Sequence, residues 1–408
     1  MKKIQFLGWV TASFLLLPSC GSGTGGQGRQ ASADSAAVAD NPIVTGADRT
    51  EEYVPYLMGK RVGLAINNTS VIGDKLSMDS LIALGVNVVK GFGPEHGFRG
   101  NASAGAKIVD EVDEKTDVPL ISLFGGKYKP TAADLDGVDV MVFDMQDVGV
   151  RFYTYVSTLH YIMEACAEND IEVVILDRPN PNDGYVDGPV LEKGFESFVG
   201  MHPIPIAHGL TFGEYAGMIN GQRWLADGVQ CKIKVIPMLN YHHGKPYTLP
   251  IPPSPNLNTQ QAILLYPATC LFEGTEISEG RGTMCAFSVV GSPKLEGKFD
   301  FSFTPVSIPG MSEKPKHLGE TCYGLDLREV DTDSFKTSGR INLSWLRELY
   351  EAHPDKDNFF RGSFSRLAGN DKLEQQIRNG ISDEEIHQSW EPALGEFKQM
   401  REQYLIYD

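Results

Sequence analysis

VNVVKGFGPEHGFRG, Val86 to Gly100, couples an apolar β-branched run directly to a glycine-rich turn carrying Glu95, His96 and Arg99. A carboxylate, an imidazole and a guanidinium placed at once after such a run read as a reactive loop at a strand's carboxyl end. That is where open α/β sheets bind their ligands. Further short apolar runs lie on either side: Arg61 to Ile66, Leu120 to Phe124, Val138 to Phe143, Val173 to Leu176 and Ile233 to Ile236. Their spacing leaves room for helices, and runs of continuous rather than alternating hydrophobicity belong to a mainly parallel sheet covered on both faces. Tyr155 to Ala167 supplies one such helix, with Val156, Leu159, Met163 and Cys166 at three- and four-residue spacing. The fold class is therefore α/β.

From about Tyr241 the texture changes to a proline-rich loop (LPIPPSPN, Leu249 to Asn256), then to alternation over Phe299 to Phe303, then to terminal helices. We read residues 50–240 as a sheet domain and 241–408 as a smaller α/β C-terminal domain that completes a cleft. The segment from about Asp383 to Tyr404 repeats Ile386, Trp390, Leu394, Phe397 and Met400, which reads as the core-facing stripe of a last helix.

The N-terminus is a separate matter. MKKIQFLGWVTASFLLLPSC has two lysines, an apolar run too short to span a bilayer, and Leu17-Pro18-Ser19-Cys20, which resembles a bacterial lipobox. Residues 1–19 read as a lipoprotein signal peptide and Cys20 as the lipidated first residue of the exported chain. Residues 20–49 are mostly Gly, Ser, Ala and Asp and read as a flexible tether. The expected location is the bacterial envelope, anchored at the outer membrane and facing the periplasm. Loss of Lys2 and Lys3 with the signal moves the formal charge from -17 to -19, which argues against nucleic acid as a partner. Beyond Cys20 the five cysteines show no CxxC or zinc-like spacing, and no disulfide can be deduced from them.

Polar clusters follow the expected strands. Asp144, Gln146, Asp147, Arg151 and Tyr153 come after one; Asp177, Arg178 and Asn180 come after the next; His208 precedes Thr211 and Glu214, an S/T-x-x-E capping box that makes Glu214 a cap. Clusters on successive βα connections are expected to converge on one crevice. The C-terminal part adds FEGTEISEGRGT, Phe272 to Thr283, with Glu273, Glu279 and Arg281 among Gly274, Gly280 and Gly282, glycines that allow close approach to a ligand. The chain has no GxGxxG after its first strand, no P-loop, no GxSxG elbow and no HExxH. Neither a cofactor nor a metal is expected.

Taken in order, FGPEHGFRG, DMQDVGVRFYTYVSTL, LDRPNP, PIPIAHGLTFGE, PPSPN and FEGTEISEGRGT resemble the motifs of the NamZ or YbbC-like family of exo-β-N-acetylmuramidases, from about Val62 to the C-terminus. The resemblance implies a Rossmann-like domain and a smaller C-terminal one with the cleft between them. It further implies a peptidoglycan glycosidase that releases terminal N-acetylmuramic acid from the non-reducing end of a glycan.

The residues suit that chemistry, because glycoside cleavage needs a carboxylic acid at the leaving oxygen and a second group on the anomeric side. Glu95 is the candidate acid, with His96 to orient it. For the second group Glu273, Glu279, Asp147 and the substrate's own acetamide stay open. The lactyl carboxylate of muramic acid calls for a bidentate arginine, and Arg151, Arg178 and Arg281 are candidates. Tyr153 is placed to stack on a sugar face. Arg99, Asp144, Gln146, Asp177, Asn180, His208 and Asn256 complete the expected substrate contacts. Two other classes remain at this point: a cell-wall-sugar-binding lipoprotein without turnover, and an amidase or deacetylase acting on the same polymer.

Overall fold

Seven strands form the central sheet: β1 (Arg61–Ile66), β2 (Asn87–Gly93), β3 (Glu111–Val112), β4 (Pro119–Ser122), β5 (Val140–Asp144), β6 (Glu172–Leu176) and β7 (Ile233–Ile236). Their order across the sheet is β3-β4-β2-β1-β5-β6-β7, parallel throughout except for β3. The computed structural model describes residues 41–95, 97–98 and 110–408. All six apolar runs of the sequence are strands of this sheet.

The physical reason is visible in β1 and β5. Val62, Leu64 and Ile66 are wholly buried on one face with Val140 and Val142, while Ala65, Met141 and Phe143 are wholly buried on the other. Burial of each larger side chain stabilises the fold by about 1.5–3 kcal/mol, so both faces must be covered. Helices α1 (Thr50–Leu57) and α2 (Ser77–Ala83) contribute Tyr53, Leu57, Met78 and Leu81 to the first face. Helices α3 (Tyr155–Glu168) and α4 (Phe212–Gly221) cover the second.

The core on that second face runs on without a break into residues 241–408. There α5 (Gln260–Thr269) precedes a three-stranded antiparallel sheet, in the order β8 (Val289–Ser292), β10 (Cys322–Asp326), β9 (Phe301–Phe303). The last long helix, α6 (Asp383–Arg401), buries Ile386, Trp390, Leu394 and Phe397, as the stripe in its sequence requires. Asn41–Asp408 is one compact unit. Cys166, Cys231, Cys270, Cys285 and Cys322 are free thiols.

Strand order decides where a ligand crevice can open. From β1 the chain steps to β2 and β4 on one side and then returns to β5 on the other, so the switch point lies between β1 and β5. Asn67, Thr69 and Ser70 follow β1 there, and the Thr69 hydroxyl accepts from the Gln146 backbone N–H at 3.0 Å. Glu95 follows β2, one strand further along.

Candidate active site

Glu95 sits in the turn Pro94–Gly97, closed by the Gly97 N–H donating to the Pro94 carbonyl at 3.0 Å. Its carboxylate accepts a hydrogen bond from the Thr154 hydroxyl at 3.0 Å. Thr154 occupies the N-cap position of α3 but makes no capping bond there, which leaves its hydroxyl for the carboxylate 59 positions earlier. On either side of it, Tyr153 and Tyr155 both donate to the Pro253 carbonyl, at 2.8 and 3.2 Å. Burial pushes both phenols up, so they stay protonated. The two tyrosines tie the proline-rich loop over the start of α3.

The far wall is Tyr266 from α5 with Arg281 from the glycine-rich segment and Phe287 just after it, and Phe152, Ser254 and Leu257 complete the lining. Arg281 donates to Glu273 at 2.7 Å and lies 3.2 Å from Glu279, whose other oxygen is 3.0 Å from Lys316. Burial opposes the Glu279 charge, but Lys316 and Arg281 outweigh it and hold the carboxyl below its usual range. The guanidinium also stands over the Phe287 ring, 5.1 Å from its centre. The recess between these walls holds about 50 Å³, room for a few water molecules beside the carboxylate.

Four of the sequence motifs therefore meet here, through Glu95, Tyr153, Ser254 and Arg281, with Glu273 and Glu279 as the arginine's partners. The other expected contacts do not line this recess. Asp144 and Arg178 form a buried bidentate pair at 2.6 and 3.1 Å, and Arg178 also donates to the Val71 carbonyl. Asp177 accepts from the Gly213 N–H and from the Thr211 and Tyr407 hydroxyls, and burial raises its carboxyl to about 6. Gln146 spends its amide on the Asp147 and Pro179 carbonyls, Asn180 on Leu210, and Asn256 on Met311.

Arg151 is wholly internal, its guanidinium donating to the carbonyls of Pro189, Ile204 and Leu367, so it clasps the C-terminal part rather than an acid. Asp147 and His208 are buried 3.5 Å apart. The His208 Nδ1 accepts the Leu210 N–H, which leaves the neutral ring's proton on Nε2, facing Asp147. His96, Arg99 and Cys20 lie outside the described residues.

The glycines of the Phe272–Thr283 segment serve packing. Gly280 and Gly282 have φ of +79° and +83°, and a Cβ on Gly274 would fall 2.6 Å from the Phe364 backbone. Close approach is to the protein itself rather than to a ligand. Sequence reasoning missed Thr154, Tyr155, Ser254, Leu257, Tyr266 and Phe287; Thr154 alone carried a local signal, a hydroxyl at a helix start.

A carboxyl, an arginine and tyrosines lining one recess at the strand ends of an α/β scaffold are the groups that acid–base hydrolysis of a polar, anionic substrate requires. Family models for the N-terminal and C-terminal parts of exo-beta-N-acetylmuramidase NamZ match residues 62–261 and 264–407. The chain belongs to the NamZ family of exo-β-N-acetylmuramidases. The peptidoglycan beta-N-acetylmuramidase NamZ of Bacillus subtilis (strain 168) is 40% identical in an alignment 386 positions long that covers 90% of this chain and 91% of that protein. Crystal structures of two DUF1343 family proteins from Bacteroides fragilis NCTC 9343 are similar over 90% of this chain and 99% of each of theirs. One has a TM-score of 0.84 at 44% identity, the other 0.76 at 29%.

Proposed function

We propose that the Glu95 recess is where this glycoside hydrolase releases terminal β-N-acetylmuramic acid from the non-reducing end of peptidoglycan glycan fragments. The observation that carries the reading is the Glu95 carboxyl, oriented by Thr154 at 3.0 Å and facing Arg281 across one recess. In its protonated form Glu95 gives its proton to the glycosidic oxygen as the C1–O bond breaks. Water then adds at C1 and gives its proton to the Glu95 carboxylate, which restores the acid, and the space beside the carboxylate admits it.

Arg281 meets the lactyl carboxylate, with Glu273, whose side chain is 31% exposed, giving way to it. Glu279 stays ionised between Lys316 and Arg281 and holds that arginine in place. Sugar-binding without turnover, and amide or acetyl hydrolysis, are the weaker readings, since the Bacillus subtilis relative carries a muramidase name.

Residues 41–408 are to be incubated with chromogenic β-glycosides of N-acetylmuramic acid and of N-acetylglucosamine, beside Glu95→Gln. Release from the first alone, lost in the variant while muramic acid still binds, is the expected result. Retained binding with no release by the unaltered protein would leave a binding protein instead.

The same proposal places the protein on the periplasmic face of the outer membrane through a lipid at Cys20, and the support is the Leu17–Cys20 motif with its preceding apolar run. Cys20→Ser should then move the protein from the membrane to the soluble fraction.

A further inference from the structure

Beside the recess, four aromatic side chains gather at the surface. Tyr128 stacks on Phe198 with centroids 4.1 Å apart and planes 28° from parallel. Tyr161 lies within 6.5 Å of both at 18° and 15°, and Phe124 meets Tyr128 edge-on at 5.9 Å. Tyr128 is 40% exposed, and the other rings are only half-buried. Three near-parallel rings left partly in water are not core packing, and a contiguous apolar surface of this kind is a mark of a binding site.

Its position ties it to the catalytic recess. Thr154, which holds Glu95, begins a line along one face of α3 that continues through Ser157 and Tyr161. The Ser157 hydroxyl donates to the Phe198 carbonyl at 2.7 Å. On the other side, the Leu123 N–H donates to the Gly93 carbonyl at 2.8 Å, joining the residue before Phe124 to the strand end that leads into Glu95. Thr154 and Tyr161 are about 10 Å apart along the helix axis, the reach of a short oligosaccharide.

Charge agrees with a neutral ligand. Lys129 is paired with Glu164 and Glu168 at 2.8 and 2.7 Å, and Lys127 with Asp134 at 2.8 Å. The ions bordering the rings are thus satisfied among themselves. A pyranose presents a face of C–H groups, which the negative face of an aromatic ring attracts.

We propose that Tyr128, Phe198 and Tyr161 form the subsite for the glycan on the leaving side of the scissile bond, stacking its neutral N-acetylhexosamine rings. This rests on the Glu95 recess being the site of cleavage. An exo-acting enzyme that holds a single terminal sugar gains affinity for polymer only by gripping the chain beyond the bond.

The test compares kcat/KM on the chromogenic muramic acid monosaccharide with that on a peptide-free glycan tetrasaccharide ending in N-acetylmuramic acid. Tyr128→Ala should lower the second about five- to tenfold and leave the first unchanged. Tyr128→Trp should restore it, a readout that a folding defect would not give. Equal losses on both substrates, or none on either, would overturn the subsite. So would a loss confined to peptide-bearing glycan, which would assign the rings to the stem.

Titration calorimetry with an N-acetylglucosamine trimer separates this from the parent reading. If neither substrate is cleaved yet the trimer binds in a Tyr128-dependent way, the platform stands and the cleavage site falls. No binding of the trimer, together with equal kinetics, removes the platform and leaves the cleavage site.

Discussion

Asp144–Arg178 and Glu273–Arg281–Glu279 are both carboxylate–guanidinium groups set just beyond regular elements, and in the sequence they look alike. In the first, the side chains are 0% and 3% exposed, and the guanidinium is further held by the Val71 carbonyl. In the second, Glu273 and Arg281 keep 31% and 23% of their side-chain surface, and Arg281 lines the recess that holds Glu95. The difference is where the partners come from. Asp144 and Arg178 complete one another at the ends of neighbouring strands, whereas Arg281 turns the same chemistry toward an acid from a distant loop.

The comparison breaks first, and by the largest margin, at Glu95. Glu95→Gln should cut turnover by about 10²–10⁴-fold, with an unchanged melting temperature, on the chromogenic muramic acid substrate. Arg178→Met tests the other side: a buried Asp144 charge left without its cation at the carboxyl end of β5 should lower stability by about 3–5 kcal/mol in urea unfolding. Turnover per folded molecule should stay near that of the unaltered protein. A variant that folds normally but loses turnover would place Arg178 in the catalytic machinery and erase the contrast.

A smaller effect sharpens what the buried polar frame does. His243 bridges Asp183 and Glu214, both at 2.9 Å, beside Tyr241, Tyr407 and the Arg401 guanidinium. Burial opposes its charge, but hydrogen bonds donated by the ring to the two carboxylates, and their charges, prevail and push the ring up to about 9. A raised folded-state value means the stabilisation is complete below the ring's ordinary 6.5 and is lost as pH rises through 9. Melting temperatures should therefore fall across that window, by no more than about 3 kcal/mol of stability, and His243→Gln should flatten the slope.

Asp177 has the same sign in a lower window. Its carboxyl, raised by burial from 3.8 to about 6, costs stability as pH climbs between those values, so the two groups are read in separate windows.

The smallest effect is at the hydroxyl that joins strand end to helix start. Thr154→Val keeps the shape and removes one hydrogen bond to Glu95, which should cost about tenfold in kcat with little change in KM. A fall in KM-dependent binding instead would make Thr154 a substrate contact.

Much of the architecture was legible from residues alone. Arg61–Ile66 and Val138–Phe143 read as strands because parallel strands buried on both faces carry unbroken apolar runs, and strands form at Arg61–Ile66 and Val140–Asp144. Thr211 and Glu214 form the capping box their spacing announces, the Thr211 hydroxyl accepting from the Glu214 N–H and the Glu214 carboxylate from the Thr211 N–H. Of the candidate recess, Glu95, Tyr153 and Arg281 stand out in the sequence through their motifs. Arg151 misled, since a charged residue in a polar motif gives no sign that three backbone carbonyls will enclose it.

Period, capping and turn chemistry are local, so the sequence by itself determined the α/β class, the strands, the helix starts and the loop that carries the acid. Its six ordered motifs also pointed to the family. Only the tertiary structure decided which polar cluster became frame and which became site. That choice depends on partners far apart in the chain, such as Thr154 on Glu95 and Pro253 on Tyr153, and on which groups the packed core leaves open to water.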